Sequence, residues 1–422
     1  MNILILTFIL IFNFLQSSEK LFVACEGAYY DGQGSLSIIN EDGDVDEIQN
    51  LGNTVQSIKV YGNHLFVISN GSSLIHIFDI NNEGNLSLNN TINLNSSGPR
   101  NMLIHEDSNT AYITNWNTQD IKLMDLETFE ITSSIPVNGL PEDIIFDGEY
   151  IWVSINLNTD WTDGSTVIKL NPADNMITEY EVGYGPGDLL FHNNSIYVSR
   201  TYYDADWNAY AGTSKIDENG IVTLVEYGAG IPCGGSLTKH NDVVYRSYNG
   251  GIAPLDDELG ILSEQQLGNL GFWNIYDVKS INNKIYFAVT DYNTLNQVVI
   301  LDGYGSEIGT YDVGMIPTDF AVWDNSVLNN NNDFIANFDI LGSYPNPFNP
   351  IANFDISIPE AGYLSINIYD ISGKLVTNIT NDYYLPNNYS FNWNASGVSS
   401  GLYIINATLN NYTISSNITL LK

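Results

Sequence analysis

Four aspartates stand at matching places in a unit that recurs along this chain: Asp143, Asp188, Asp277 and Asp319. Three of them close a Pro-x-Asp step, in Pro141-Glu142-Asp143, Pro186-Gly187-Asp188 and Pro317-Thr318-Asp319. Other copies of the unit put Ser57, Asn101 and Ser236 at the same place. Carboxylates crowded around one axis repel each other, which raises the pKa of some of them or recruits a cation. A hard, oxygen-seeking ion such as Ca²⁺ is the cofactor that a ring of Asp143, Asp188, Asp277 and Asp319 would hold. The alternative is local: Ser, Asn and Asp side chains accept backbone N–H groups where a strand begins. Residue type and spacing leave both readings open.

A second set of residues is suited to binding. Tyr29-Tyr30-Asp31, Asp160-Trp161-Thr162-Asp163 and Tyr202-Tyr203-Asp204-Ala205-Asp206-Trp207 place flat rings beside carboxylates. Such surfaces stack on sugars while recognising hydroxyls, and they also anchor protein partners. With Trp116, the binding candidates are Tyr29, Tyr30, Trp161, Tyr202 and Trp207, and the ligand expected is a glycan, a peptide or a protein. Burial of these rings on neighbouring strands is the competing reading. Asp204-Ala205-Asp206-Trp207-Asn208 also has the first ligand spacings of a calcium loop, but lacks the Gly and the closing Glu that such a loop needs. Asp42, Asp44 and Asp46 fall on an outer hairpin turn, where solvated charge is expected.

Histidines argue against catalysis. His64, His105, His192 and His240 fall at or near the turn between the first and second strands of their units, on the face opposite the aspartates, and His76 falls in a third strand. None is placed to act as a general base on the face that carries the candidates. No nucleophile elbow, phosphate loop or His-rich metal motif occurs. No catalytic residue is therefore proposed, and the enzyme alternative is a metal-dependent hydrolase using the four aspartates.

The elements that must position these residues follow from the repeat. A unit of about 40–45 residues is the period of a four-stranded propeller blade, and it recurs seven times here. One copy runs through Ile144-Ile145-Phe146, an Asp-Gly turn, Tyr150 to Ser154, Thr166 to Leu170, a turn at Ala173-Asp174-Asn175, and Ile177 to Val182. Alternating apolar residues rich in Val, Ile and Tyr, separated by Asn, Asp and Gly turns, predict half-buried strands and no helix. The first copy begins at its second strand, Leu21-Phe22-Val23-Ala24, and the missing strand is supplied by residues 319–323. That pairing would close a ring and remove its open edges.

Tyr112-Ile113-Thr114-Asn115 with Trp116 resembles the signature of YVTN-type propeller repeats, a resemblance spanning about 300 residues that implies a propeller but not an activity. Propellers of the streptogramin-lyase and gluconolactonase kinds are similar to this repeat, which keeps a lactonase- or lyase-like enzyme as the alternative function. Beyond the polar stretch Asn325 to Asp333 the pattern changes. Tyr344, Pro345, Asn346, Pro347, Phe348, Asn349 and Pro350 form a rigid lead-in, followed by short strand-like segments, Ser372-Gly373-Lys374, Trp393, Ser400-Gly401-Leu402-Tyr403 and Leu420-Leu421-Lys422. This set resembles type A sorting domains of type IX secretion, which implies an immunoglobulin-like sandwich, the type IX secretion machinery as partner, and release or attachment at the outer-membrane surface of a Gram-negative bacterium. Asn387-Asn388 replaces the Gly usual ahead of the Trp strand.

The fold expected is therefore all-β, a seven-bladed β-propeller followed by a small immunoglobulin-like β-sandwich. The divisions are a signal peptide at 1–18, the propeller at 19–324, a linker at 325–340 and the sandwich at 341–422. Ile3 to Leu15 is apolar, short for a membrane helix and suited to a signal peptide, so a mature chain without a membrane span is expected. Thirteen Lys and Arg against 49 Asp and Glu give a net charge of −36, which repels phosphate backbones and excludes nucleic acid as a partner. Cys25 and Cys233 have neither disulfide-framework nor zinc spacing and read as buried free thiols. A monomer is expected.

Overall fold

The computed structural model describes residues 19–28, 32–229, 235–271, 274–324, 338–358, 362–371, 373–384, 387–409 and 412–422. Tyr29, Tyr30, Cys233 and the stretch read as a signal peptide lie outside them. The chain divides into two units, residues 1–326 and 327–422. Among the described residues the secondary structure is antiparallel strand with two short 3-10 turns.

Among the described residues, the first unit holds seven antiparallel sheets, six of four strands and one of three. Their first strands, Val55–Tyr61, Pro99–His105, Leu140–Phe146, Pro186–His192, Leu237–His240, Ile275–Ile281 and Pro317–Asp324, touch one another in sequence and return to the start. The sheets thus form a closed ring of propeller type. Closure joins the two ends of this unit, with Leu21, Phe22 and Val23 pairing with Val322, Ala321 and Phe320. A Glu19–Lys284 ion pair at 2.5 Å sits on this seam.

Side-chain alternation explains the ring. Second strands such as Thr110–Asn115 and Lys284–Thr290 are buried on both faces because each lies inside the stack of sheets. Ile113 packs toward Phe66, Ile68 and Ile75 of the preceding sheet, while its neighbour Tyr112 packs toward Ile144 and Val153 of the next. Val153 and Trp152, Phe287 and Tyr286 divide in the same way. Each such side chain contributes about 1.5–3 kcal/mol of burial. Fourth strands lie at the rim, so Ile131–Pro136 and Ile177–Glu181 are largely exposed.

The recurring outer turn is a five-residue device. In Asp217-Glu218-Asn219-Gly220-Ile221 the Asp217 N–H donates to the Ile221 carbonyl and the Gly220 N–H to the Asp217 carbonyl. The Asp217 carboxylate accepts the N–H groups of Asn219 and Ile221. Gly220 has φ +78°, left-handed backbone that glycine enters without Cβ strain. The same turn recurs at Asn40–Asp44, Asn81–Asn85, Asp302–Ser306 and, in the second unit, Asp370–Lys374, each with Gly in the fourth place.

The second unit packs a three-stranded sheet, Asp339–Tyr344, Ile351–Ile358 and Asn387–Asn394, against a four-stranded one, Gly362–Asp370, Leu375–Tyr384, Gly401–Leu409 and Tyr412–Leu420. One core including Phe354, Ile356, Trp393, Ile366 and Ile405 joins them. The proline-rich lead-in is anchored by Phe348, which is buried against Trp393 at a ring separation of 5.2 Å. Its N–H donates to the Thr419 carbonyl, and its carbonyl accepts the Leu421 N–H. The strand Asp339–Tyr344 begins inside the stretch expected to be linker, because Asn-rich polarity hid a strand paired along Asn353 to Ser357.

Candidate functional site

The matching positions converge. A cavity of about 510 Å³ at the centre of the ring is lined by Ser57, Asn101, Asp143, Asp188, Ser236, Asp277 and Asp319. In six of these first strands the register slips at the same place, between Val55 and Ser57, Pro99 and Met102, Pro141 and Ile144, Pro186 and Leu189, Ile275 and Asp277, and Pro317 and Asp319. A bulge bends a strand and re-aims a side chain, here toward the axis. Hydroxyls of the second strands take up N–H groups that this releases. The Asn101, Asp143 and Asp188 N–H groups donate to Thr114 Oγ1, Ser154 Oγ and Ser199 Oγ at 3.0, 3.0 and 2.9 Å.

The carboxylates tie neighbouring sheets together. Asp143 accepts the N–H of Ile144 on its own strand at 2.8 Å, that of Leu189 on the next sheet at 2.7 Å, and the Asn101 amide at 2.6 Å. Asp319 accepts the N–H groups of Phe320 and Ile58, and pairs with the Lys279 ammonium. Asp188 accepts the Leu237 N–H at 3.3 Å, and Asp277 accepts the Ser236 hydroxyl at 2.6 Å. Both uses weighed for these residues bear on this belt, and the local one, acceptance of backbone N–H, is directly visible. Among the described residues no three of His, Cys, Asp or Glu are grouped as a metal ion requires.

Burial raises the pKa of Asp143 and Asp277, and raises that of Asp188 well above the usual carboxylate range, with the Asp277 and Asp143 charges adding to the effect. Three cations in the wall escaped sequence reading: Lys59, Arg100 and Lys279. Burial opposes the charge of Lys279, but the Asp319 and Asp277 carboxylates outweigh it and hold its pKa up. Arg100 donates to Glu142 at 2.5 and 2.9 Å and to Gln56 at 2.6 Å. Its guanidinium also lies over the Trp116 ring at 4.1 Å. Lys59 is the third; burial and the nearby Lys279 charge lower its pKa. A lysine four residues after the start of a first strand was the available signal, but it occurs in only two copies, at Lys59 and Lys279.

Aromatic residues frame the mouth. Trp116 is half-buried in the cavity wall, and Trp161 meets it edge to face at 6.0 Å. Trp161 is 58% exposed and Trp207 82% exposed. Trp207 stands 6.2 Å from Tyr203, which lines the cavity. Tyr202, a sequence candidate, does not line it: strand alternation turns its ring onto Tyr210 at 5.6 Å and its hydroxyl to Glu226 at 2.7 Å.

The two exposed tryptophans share an unusual setting. Asn158–Thr162 and Asp204–Asn208 form the five-residue turn described above, and Trp161 and Trp207 occupy its fourth place. Their φ angles are +67° and +62°, in positions that Gly43, Gly84, Gly220, Gly305 and Gly373 fill elsewhere and that Leu259, buried in the core, fills in Asp256–Gly260. An L-residue there costs roughly 1–2 kcal/mol. Asp204-Ala205-Asp206-Trp207-Asn208, whose spacing suggested part of a calcium loop, is this hairpin: Asp204 accepts the N–H groups of Asp206 and Asn208, both at 2.9 Å.

None of the five histidines lines the cavity. His240 is buried between Ser280 and the Gly303 carbonyl, and His76 contacts Thr91 and the Leu51 carbonyl. Cys25 is a buried free thiol whose pKa burial pushes up to about 12.

With this geometry in place, likeness to known proteins is informative for one segment and for the fold. Residues 343–420 match the secretion system C-terminal sorting domain family. Such a tail marks cargo of type IX secretion, so the protein is secreted or displayed at the cell surface and engages that machinery. None of the curated proteins matches the chain. Among solved structures, a functionally unknown protein from Desulfotomaculum acetoxidans is similar at 13% identity and TM-score 0.54, over 72% of this chain and 98% of that one. A Lactobacillus plantarum protein is similar at 10% identity and TM-score 0.54, over 73% and 99%. Kuenenia stuttgartiensis hydrazine synthase is similar at 14% identity and TM-score 0.52, over 64% and 89%. At these identities the likeness shows the propeller-like fold alone. No helix among the described residues is long and apolar enough to cross a membrane.

Proposed function

We propose that this is a secreted or surface-displayed, non-catalytic binding protein, a seven-bladed ring of YVTN type that takes a carbohydrate chain at the mouth of its central cavity. In this reading the immunoglobulin-like tail serves export. The observation that carries the proposal is the pair of tryptophans held in left-handed turn positions at the rim. Backbone strain kept at exposed apolar residues earns nothing for folding, and strain of this kind collects at functional sites. Flat indole faces at Trp161 and Trp207, with Tyr203, flank a wall carrying the Asn101 and Asn156 amides and the Thr201 hydroxyl. This combination of apolar faces and a few convergent polar groups suits the two sides of a sugar ring.

A glycan array probed with the full chain tests the proposal. Binding to a defined class of glycans is expected, lost in Trp161→Gly and Trp207→Gly while the melting temperature holds. Silence on the array together with capture of unstructured peptides through the same tryptophans would replace the carbohydrate reading with a peptide one.

A further inference from the structure

Hydrogen-bond accounting around the cavity leaves donors over. Arg100 has Glu142 and Gln56, and Lys279 has Asp319. Ser57 donates to the Arg100 carbonyl at 2.8 Å and Thr318 to the Gln56 carbonyl at 2.8 Å. Lys59, on the strand Val55–Tyr61, lines the same cavity with no hydrogen bond or ion pair to any described residue. The Trp116 indole N–H is likewise buried without an acceptor. The Lys59 ammonium and the buried Trp116 indole N–H are donors left over in this wall, and leaving a buried donor unpaired is costly.

We propose that the cavity binds the carboxylate of an acidic saccharide, a uronate-bearing chain, with Lys59 as the residue that holds the acid group. The inference rests on the carbohydrate reading above and narrows it. Asp319 and Asp143 act on Lys59 through space, and neither makes a hydrogen bond or ion pair to it. Asp143 is occupied by Asn101, Ile144 and Leu189, and Asp319 by Ile58, Phe320 and Lys279. Burial raises the pKa of Asp143, Asp188 and Asp277 and lowers that of Lys59, which a carboxylate placed beside it would raise again. The acidic exterior, at a net charge of −36, acts through salt solution that screens over about 8 Å, whereas Lys59 acts at contact.

The test measures affinity of the full chain for trigalacturonate, for its fully methyl-esterified form, and for trialanine with a free or amidated C-terminus. A charge-assisted hydrogen bond predicts that the free acid binds roughly tenfold or more tightly than the ester. That ratio falls to about one in Lys59→Met and is largely kept in Lys59→Arg. Melting curves establish that both variants are folded, and because the readout is a ratio, a general loss of affinity does not imitate the result. Equal binding of acid and ester overturns the role of Lys59 but leaves the carbohydrate reading standing. A preference for trialanine acid over trigalacturonate overturns the saccharide as the source of the carboxylate. Binding of none of the four probes overturns the inference, and the glycan array then decides the carbohydrate reading separately.

Discussion

The ring and the sandwich bury alternating strands in opposite ways. In the ring the apolar side chains are divided among clusters between neighbouring sheets, the two faces of a second strand going to two different clusters. Residues near the axis are left polar, and the cavity they line holds the candidate site. In the sandwich two sheets close over one core that runs from Phe348 to Leu420. A divided core leaves a centre available for binding, whereas a single core commits its interior to stability and leaves recognition to its surface. The contrast fits a ring that binds and a tail that is read by secretion machinery.

Truncation breaks the comparison most severely. Ending the chain after Asp324 removes the sandwich and keeps the closing strand Pro317–Asp324, so the ring is expected to melt cooperatively near its normal temperature. Ending it before Pro317 removes the partners of Glu19 to Cys25 and exposes a long apolar edge. That shorter chain is expected to lose its cooperative transition and aggregate. Equal melting of the two chains, followed by circular dichroism, would show that ring closure contributes little.

Next in size is Phe348→Ala. Loss of a fully buried ring from a single core costs about 3–5 kcal/mol, enough to melt the sandwich well below the ring. Calorimetry of the full chain is expected to separate two transitions in this variant, with the ring transition unmoved. A fall in both would show that the two units share stability.

Asp188→Asn probes the polar centre and has an opposite sign. Because the folded-state pKa of Asp188 is raised, its proton-linked stabilisation is fully present below the unfolded value near 4 and is lost as pH rises through the folded value. The amide imitates the protonated form and still accepts the Leu237 N–H. It is therefore expected to raise ring stability at pH 8 by roughly 1 kcal/mol, about 2 °C, and to change nothing near pH 3. Destabilisation at pH 8 would mean that the charged form is the one the belt requires.

How much of this could be read beforehand depended on whether a feature was local. Period-2 alternation in stretches such as Tyr150 to Ser154 reports a strand directly, and the missing first strand before Leu21 revealed closure. Alignment of the copies also brought Asp143, Asp188, Asp277 and Asp319 to one place. The bulges that aim them inward were not visible, since a slip of register leaves no mark on composition. Lys59 escapes sequence reading because its spacing from the strand start is shared only by Lys279, too few copies to mark a cavity-facing position. Tyr202 was preferred to Tyr203 because adjacent tyrosines look alike until the strand's phase is known. The left-handed setting of Trp161 and Trp207 was legible in principle: both occupy the place of glycine in a turn that the chain repeats with Asn or Asp at its start.

That setting yields the smallest expected effect and the finest test of the comparison. In Trp207→Gly the chain loses an indole that is 82% exposed, whose described ring contact is Tyr203 at 6.2 Å. Burial lost is slight, while relief of the left-handed strain returns roughly 1 kcal/mol against an added unfolded-state entropy of about 0.4–1 kcal/mol. Stability should stay within about 0.5 kcal/mol of the parent. The turn itself is kept by Asp204, whose carboxylate accepts the N–H groups of Asp206 and Asn208 whatever side chain stands at 207. Thermal melting is the measurement. A loss above about 1 kcal/mol would mean that the indole braces the ring as Phe348 braces the sandwich, and the distinction between an open binding centre and a closed structural core would fail at the rim.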